Sequence, residues 1–212
     1  MKSNYLAAWL LAAVLPIAAC GEAAGPAPES APTFEVSYAP GLVDAPQDGR
    51  LMLLLSTIEG DEPRFQVDTS SDTQLMFGMN VEGMAEGDGV IVDESAVGYP
   101  LADLSEVPPG KYYVQALLNR YHDFHLSNGK VVSLPPDRGE GQVWNRKPGN
   151  LYSTPMEIEI RAGGNVVPIV MDQVIPEIVP PEDTKYIKHV RMRSELLSEF
   201  WGEDMFLGAH VL

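Results

Sequence analysis

Few side chains in this sequence are of a type that does chemistry, and their spacing limits what they can do. There is one cysteine, and there are four histidines. Cys20 closes an apolar stretch, Tyr5 to Ile17, that follows Lys2. The run Ile17-Ala18-Ala19-Cys20, with Gly21 after it, matches the bacterial lipobox. Small residues before the cysteine admit the chain to a peptidase cleft, and the thiol accepts diacylglycerol. An apolar core of this length suits a signal peptide and falls short of the ~20 residues that a spanning helix needs. Residues 1–19 are therefore expected to be a signal peptide. Cys20 is expected to be the lipidated first residue of an exported protein anchored to the cell envelope. Gly21, where inner-membrane retention would favour aspartate, points to the outer membrane in a host that has one. Acyl chains contribute ~0.8 kcal/mol per buried methylene, so the membrane is the first expected partner.

An acylated Cys20 leaves neither a thiol nucleophile nor a disulfide. The sequence contains no Gly-x-Ser-x-Gly elbow and no glycine-rich phosphate loop. The close histidine pair, His122-Asp123-Phe124-His125, falls on an expected strand, where positions 122 and 125 face opposite sides. His189 and His210 lie far away in sequence. Catalytic zinc commonly takes three protein ligands, so no metal centre is expected. Acidic groups cluster at Glu59, Asp61 and Glu62, at Glu86 and Asp88, at Asp93 and Glu94, and at Asp137 and Glu140. None has calcium-loop spacing, and in so acidic a chain they read as solvated turns. No catalytic residue and no cofactor are expected.

One segment remains. Residues 137–153 show no periodicity, and a loop of that length is usually functional or disordered. Trp144 and Tyr152 argue against disorder. With Arg146 and Asn150 they form a candidate ligand surface, flat rings beside polar donors, of the kind that stacks on sugars. The competing and favoured reading is that these aromatics plug one end of the sandwich.

The elements that must position these residues are β-strands. The formal charge is −16, which leaves no basic footprint for nucleic acid. With 19 glycines and 18 prolines, turns must be frequent and long helices few. Residues 20–32 are too poor in large apolar side chains to bury a core and read as a tether. Thr33 to Tyr38, Thr73 to Asn80 and Met156 to Ile160 alternate apolar and polar residues, the period of a half-buried strand. Arg50 to Ser56 carry a continuous apolar run suited to a strand buried on both faces. Short strands are expected at Val90 to Val92 and Val166 to Val174. The stretch Val107-Pro-Pro-Gly-Lys-Tyr-Tyr-Val-Gln-Ala-Leu-Leu-Asn119 reads as a turn and a long strand running on to Leu126, with a lead-in resembling the tyrosine corner of immunoglobulin-like sandwiches. Ser127-Asn128-Gly129-Lys130 then predicts a two-residue hairpin turn. The expected fold is mostly β, an immunoglobulin-like antiparallel β-sandwich over residues 33–175. A proline-rich linker follows at 176–184. Residues 185–212 read as strand, short helix and strand, too few to bury a core of their own; either they pack back on the first domain or, as is expected, they are the start of a truncated second α/β domain.

Several stretches together carry a resemblance. They are Glu62-Pro-Arg-Phe-Gln66, Pro109-Gly-Lys-Tyr-Tyr-Val-Gln-Ala-Leu-Leu-Asn119, Trp144-Asn-Arg-Lys-Pro-Gly-Asn-Leu-Tyr-Ser153, Pro181-Glu-Asp-Thr-Lys-Tyr186 and Glu199-Phe-Trp-Gly202. From about Phe34 to Leu212 the chain resembles the N-terminal region of bacterial secreted esterase-like proteins, in which an immunoglobulin-like β-domain precedes an α/β-hydrolase domain. The resemblance implies a non-catalytic module beside a hydrolase domain at its C-terminal side. It transfers no catalytic residue, because the nucleophile, acid and histidine of such proteins lie in the hydrolase domain. The other expectation is a free-standing lipoprotein that binds a carbohydrate or peptide through the 137–153 loop.

Overall fold

The structure is a computed structural model that describes residues 31–70 and 73–212. The expected signal peptide, Cys20 and most of the tether lie outside the described residues. Among those described, no helix is long and apolar enough to cross a membrane.

The chain is mostly β, and two sheets pack face to face as a sandwich. The strands are β1 (Thr33–Tyr38), β2 (Gln47–Ser56), β3 (Leu75–Met84), β4 (Val90–Val92), β5 (Val97–Tyr99), β6 (Gly110–Arg120), β7 (His122–His125), β8 (Val131–Leu134), β9 (Leu151–Tyr152), β10 (Met156–Ile160), β11 (Val166–Met171), β12 (Gln173–Val174), β13 (Lys188–Arg193) and β14 (Phe206–Val211). The smaller sheet has the order β11-β1-β4. The larger runs β12-β9-β6-β2-β3-β5, with β10 also paired to β6. Alternation decides what faces inward. Phe34, Val36 and Tyr38 of β1 meet Leu51, Leu53 and Leu55 of β2 and Val114, Ala116 and Leu118 of β6 in one buried core. Tyr38 extends its hydroxyl across the core to the Met84 carbonyl, 3.2 Å away.

The tyrosine corner forms as expected. Tyr112, at the start of β6, donates its hydroxyl to the Pro108 carbonyl at 2.9 Å, which pins the turn to the strand that follows.

The pairing departs from the expectation in four places. β1 and β11 run parallel, so the sandwich is not wholly antiparallel. The strand expected over Val166 to Val174 breaks at Asp172, because β11 belongs to the smaller sheet and β12 to the larger. The long strand expected to reach Leu126 breaks at Tyr121, whose N–H turns to the Asp48 carbonyl. β7 and β8 then form a separate arm. Its turn holds three residues, Ser127 to Gly129, rather than two. The Leu126 N–H reaches the Lys130 carbonyl at 2.8 Å, and Gly129 takes φ +80°, as a three-residue hairpin loop requires.

After the proline-rich segment, β13 and β14 pair as a hairpin, and α1 (Glu195–Trp201) lies in the connection between them. Ser194 caps the helix through its side chain, and Gly202 ends it in the left-handed conformation. The unit touches the sandwich through the β7–β8 arm. The Ser127 N–H donates to the Phe200 carbonyl at 2.9 Å. Phe124 meets Trp201 edge-on, with ring centroids 5.1 Å apart. His122 Nε2 lies 2.8 Å from Glu203 Oε2.

Candidate functional site

Two surfaces stand out, one on each side of the proline-rich segment. The first is the outer face of the larger sheet. Met52, Leu54 and Leu117 point away from the main core, yet they are buried with Ile175 in a second cluster. The segment from Ser56 to Val67 and the loop over 137–150 cover them. Trp144 and Tyr152 pack against this cluster, half-buried over the outer face of the sheet rather than at one end of the sandwich.

A polar brace holds the cover in place. Gln115 lies on the outward face of β6 and is fully buried. Its amide nitrogen donates to Glu62 Oε2 at 2.7 Å and to the Ser153 carbonyl at 2.9 Å. Its amide oxygen accepts the Arg64 N–H at 3.1 Å. Arg64 is buried too and pairs with Glu62 at 2.8 Å. Its guanidinium lies 4.1 Å from the Tyr152 ring centroid and 4.5 Å from that of Phe65. Arg64 and Asn145 tie the two loops together, each donating from its side chain to the other's carbonyl. Neither Arg64 nor Gln115 was expected from the sequence as a functional residue. The readable signal was Gln115 itself, a lone polar residue inside the apolar run of β6.

The four predicted ligand residues separate. Asn150 is fully buried and all of its amide is engaged. It accepts from the Arg120 N–H and Lys147 Nζ, and donates to the Trp144 carbonyl and Asn119 Oδ1. It holds the loop and meets no solvent. Arg146 alone of the four is exposed, with its guanidinium 5.6 Å from the Phe65 ring centroid. The surface left for a ligand is Phe65, 41% exposed, beside Arg146.

Lys147 lies beneath this cover, 2% exposed. It donates to the Arg120 carbonyl at 2.8 Å. Burial pushes its ammonium down to about 8; Glu140 opposes that shift, while Arg120 and Arg138 add to it. Between about pH 8 and the ordinary lysine value of 10.5, the unfolded chain keeps a proton that the folded chain has released. Stability contributed by this site therefore rises with pH across that window, by at most ~1.4 kcal/mol per unit. Lys147→Met is expected to flatten the rise, as read from urea midpoints between roughly pH 7 and 10. An unchanged slope would mean that Lys147 titrates normally.

No group of three histidine, cysteine or acidic side chains is placed to hold a metal among the described residues. Two shallow depressions, of about 550 and 570 Å³, are open to solvent, and each includes three carboxylates in its lining, Glu59, Asp61 and Asp68 in one and Asp48, Glu82 and Asp123 in the other.

The second surface is the β13–β14 hairpin. Directly opposed residues share a face. Lys188 pairs Val211, Val190 pairs Ala209 and Met192 pairs Leu207, which makes one face almost entirely apolar. It is uncovered: Val190 is 41% exposed, Met192 56%, Leu207 49% and Val211 49%. On α1, Leu196 and Phe200 are exposed as well, and Ser198 is the one buried residue between 185 and 212. The opposite face carries His189 against His210 and Arg193 against Phe206. Comparison with protein-family models, curated proteins and solved structures finds no match.

Proposed function

We propose that this chain is the non-catalytic front module of an exported, lipid-anchored, esterase-like hydrolase. In this reading Cys20 fixes the module to the envelope. The sandwich spaces the enzyme from the bilayer, and the hydrolase domain packs on the 185–212 unit. One observation carries the reading, the uncovered apolar face of Val190, Met192, Leu207, Ala209 and Val211. Contiguous apolar side chains left in water mark a surface that a partner covers. The resemblance to esterase-like proteins suggests a hydrolase domain as that partner.

Changing Met192 to lysine and Leu207 to glutamate together tests this, because the pair then places opposite charges directly across the hairpin. Neither side chain is covered in this chain, so its unfolding midpoint is expected to stay unchanged. In the complete gene product, hydrolysis of p-nitrophenyl butyrate is expected to fall at least about tenfold, the loss that hot-spot residues at an interface give. Unaltered hydrolysis would exclude the hairpin face as the docking surface.

A second reading, a free-standing carbohydrate- or peptide-binding lipoprotein, is favoured by Phe65 lying exposed beside Arg146. It requires that Phe65→Ala abolish ligand retention with stability intact.

A further inference from the structure

The face of the hairpin turned away from the apolar one brings together two histidines that are 21 positions apart in the sequence. His189 and His210 stand directly opposite each other on β13 and β14. Their ring centroids are 4.5 Å apart, and the rings are nearly perpendicular. The ladder explains this closeness. The Ser194 N–H donates to the Met205 carbonyl at 2.8 Å, which marks Ser194 and Met205 as a hydrogen-bonded pair. His189 and His210 lie an odd number of steps along the same register and so form a non-hydrogen-bonded pair, the type whose side chains approach more closely.

We propose that His189 and His210 form a two-imidazole site for a late first-row divalent transition metal, with copper(II) held more tightly than zinc(II). Imidazole nitrogens suit these ions, and copper(II) heads the affinity order for nitrogen sites. Two rings on rigid, paired strands lose little freedom on binding, and water fills the other positions. The surroundings favour a cation. Asp183 accepts the His189 N–H through Oδ1 and pairs with Lys188 through Oδ2 at 3.2 Å. Lys188 stands opposite Val211 on the apolar face. Arg191 shares the histidine face, but its guanidinium is stacked on the Phe206 ring, 3.6 Å from the centroid. His210 is exposed and His189 half-buried, so an ion reaches the site without disturbing any core. The site lies opposite the proposed docking face and does not depend on the hydrolase reading.

Copper(II) titration of the untagged chain, followed by calorimetry and electron paramagnetic resonance, tests the proposal. One ion per chain and nitrogen hyperfine structure from two imidazoles are expected. His189→Asn and His210→Asn should each weaken binding more than about tenfold, since losses even outside the first coordination shell cost that much. His122→Asn with His125→Asn should leave binding unchanged. Amides of 188–193 and 206–211 should exchange more slowly with copper bound, because the chelate clamps the two strands. Binding that survives in His210→Asn would overturn the proposal, as would a folded wild-type chain that takes up no copper.

Discussion

Gly202→Val is expected to release the C-terminal unit from the sandwich while the sandwich itself stays folded. Gly202 ends α1 at φ +75°, and a Cβ placed there would collide with the backbone carbonyl oxygen of His125. Valine meets both penalties. The left-handed conformation costs an ordinary residue ~1–2 kcal/mol, and a β-branched one fits it worst. Backbone at a strand end cannot give way as the tip of a side chain can. The contacts that hold the unit are modest by comparison. An exposed polar contact such as His122–Glu203 contributes ~0–1 kcal/mol, an aromatic pair such as Phe124–Trp201 ~0.5–1.5 kcal/mol, and a single hydrogen bond from Ser127 to Phe200 ~1 kcal/mol. Hydrogen exchange should show protection lost over 195–211 and in the β7–β8 arm, with β2 and β6 unchanged. Equal protection in the variant would mean that the unit is held by contacts other than these.

Gln115→Leu is expected to destabilise the whole sandwich by roughly 3 kcal/mol or more. The substitution preserves volume, so packing is nearly unaffected. It strips partners from the Arg64 N–H and the Ser153 carbonyl and removes one from Glu62. Buried groups left unpaired cost ~1–3 kcal/mol each, more where a charge is involved. Gln115 is the shared point of β6, the Glu62–Arg64 turn and Ser153, so the cover over Met52 and Leu54 should loosen with it. Urea unfolding reads the loss directly. A change below ~1 kcal/mol would show that water replaces the amide without cost.

Much of this fold was legible because period and burial agree. β1, β4 and β10 fall where alternation or a short apolar run places them. The continuous run in β2 is buried on both faces, the inner by the core and the outer by the loop cover. The tyrosine corner was readable because its geometry is local, spanning Pro108 to Tyr112. What escaped depends on partners distant in sequence. The parallel pairing of β1 with β11 joins the two ends of the sandwich and leaves no local trace. β5, three residues with a central glycine that pairs only with β3, is too short to show a period. The candidate ligand loop was found, but its residues could not be sorted. Asn150 is a clamp and Arg146 is exposed, a difference set by Arg120, Lys147 and Phe65 from elsewhere in the chain. His189 and His210 were set aside for their separation in sequence, and only the register of the β13–β14 hairpin makes them neighbours.

The assignment as a front module rests on the apolar face of that hairpin. The most direct measurement is to read the coding sequence past the codon for Leu212. A frame that runs on into an α/β domain with a Gly-x-Ser-x-Gly elbow is the expected result. A stop codon directly after Leu212 would contradict the assignment.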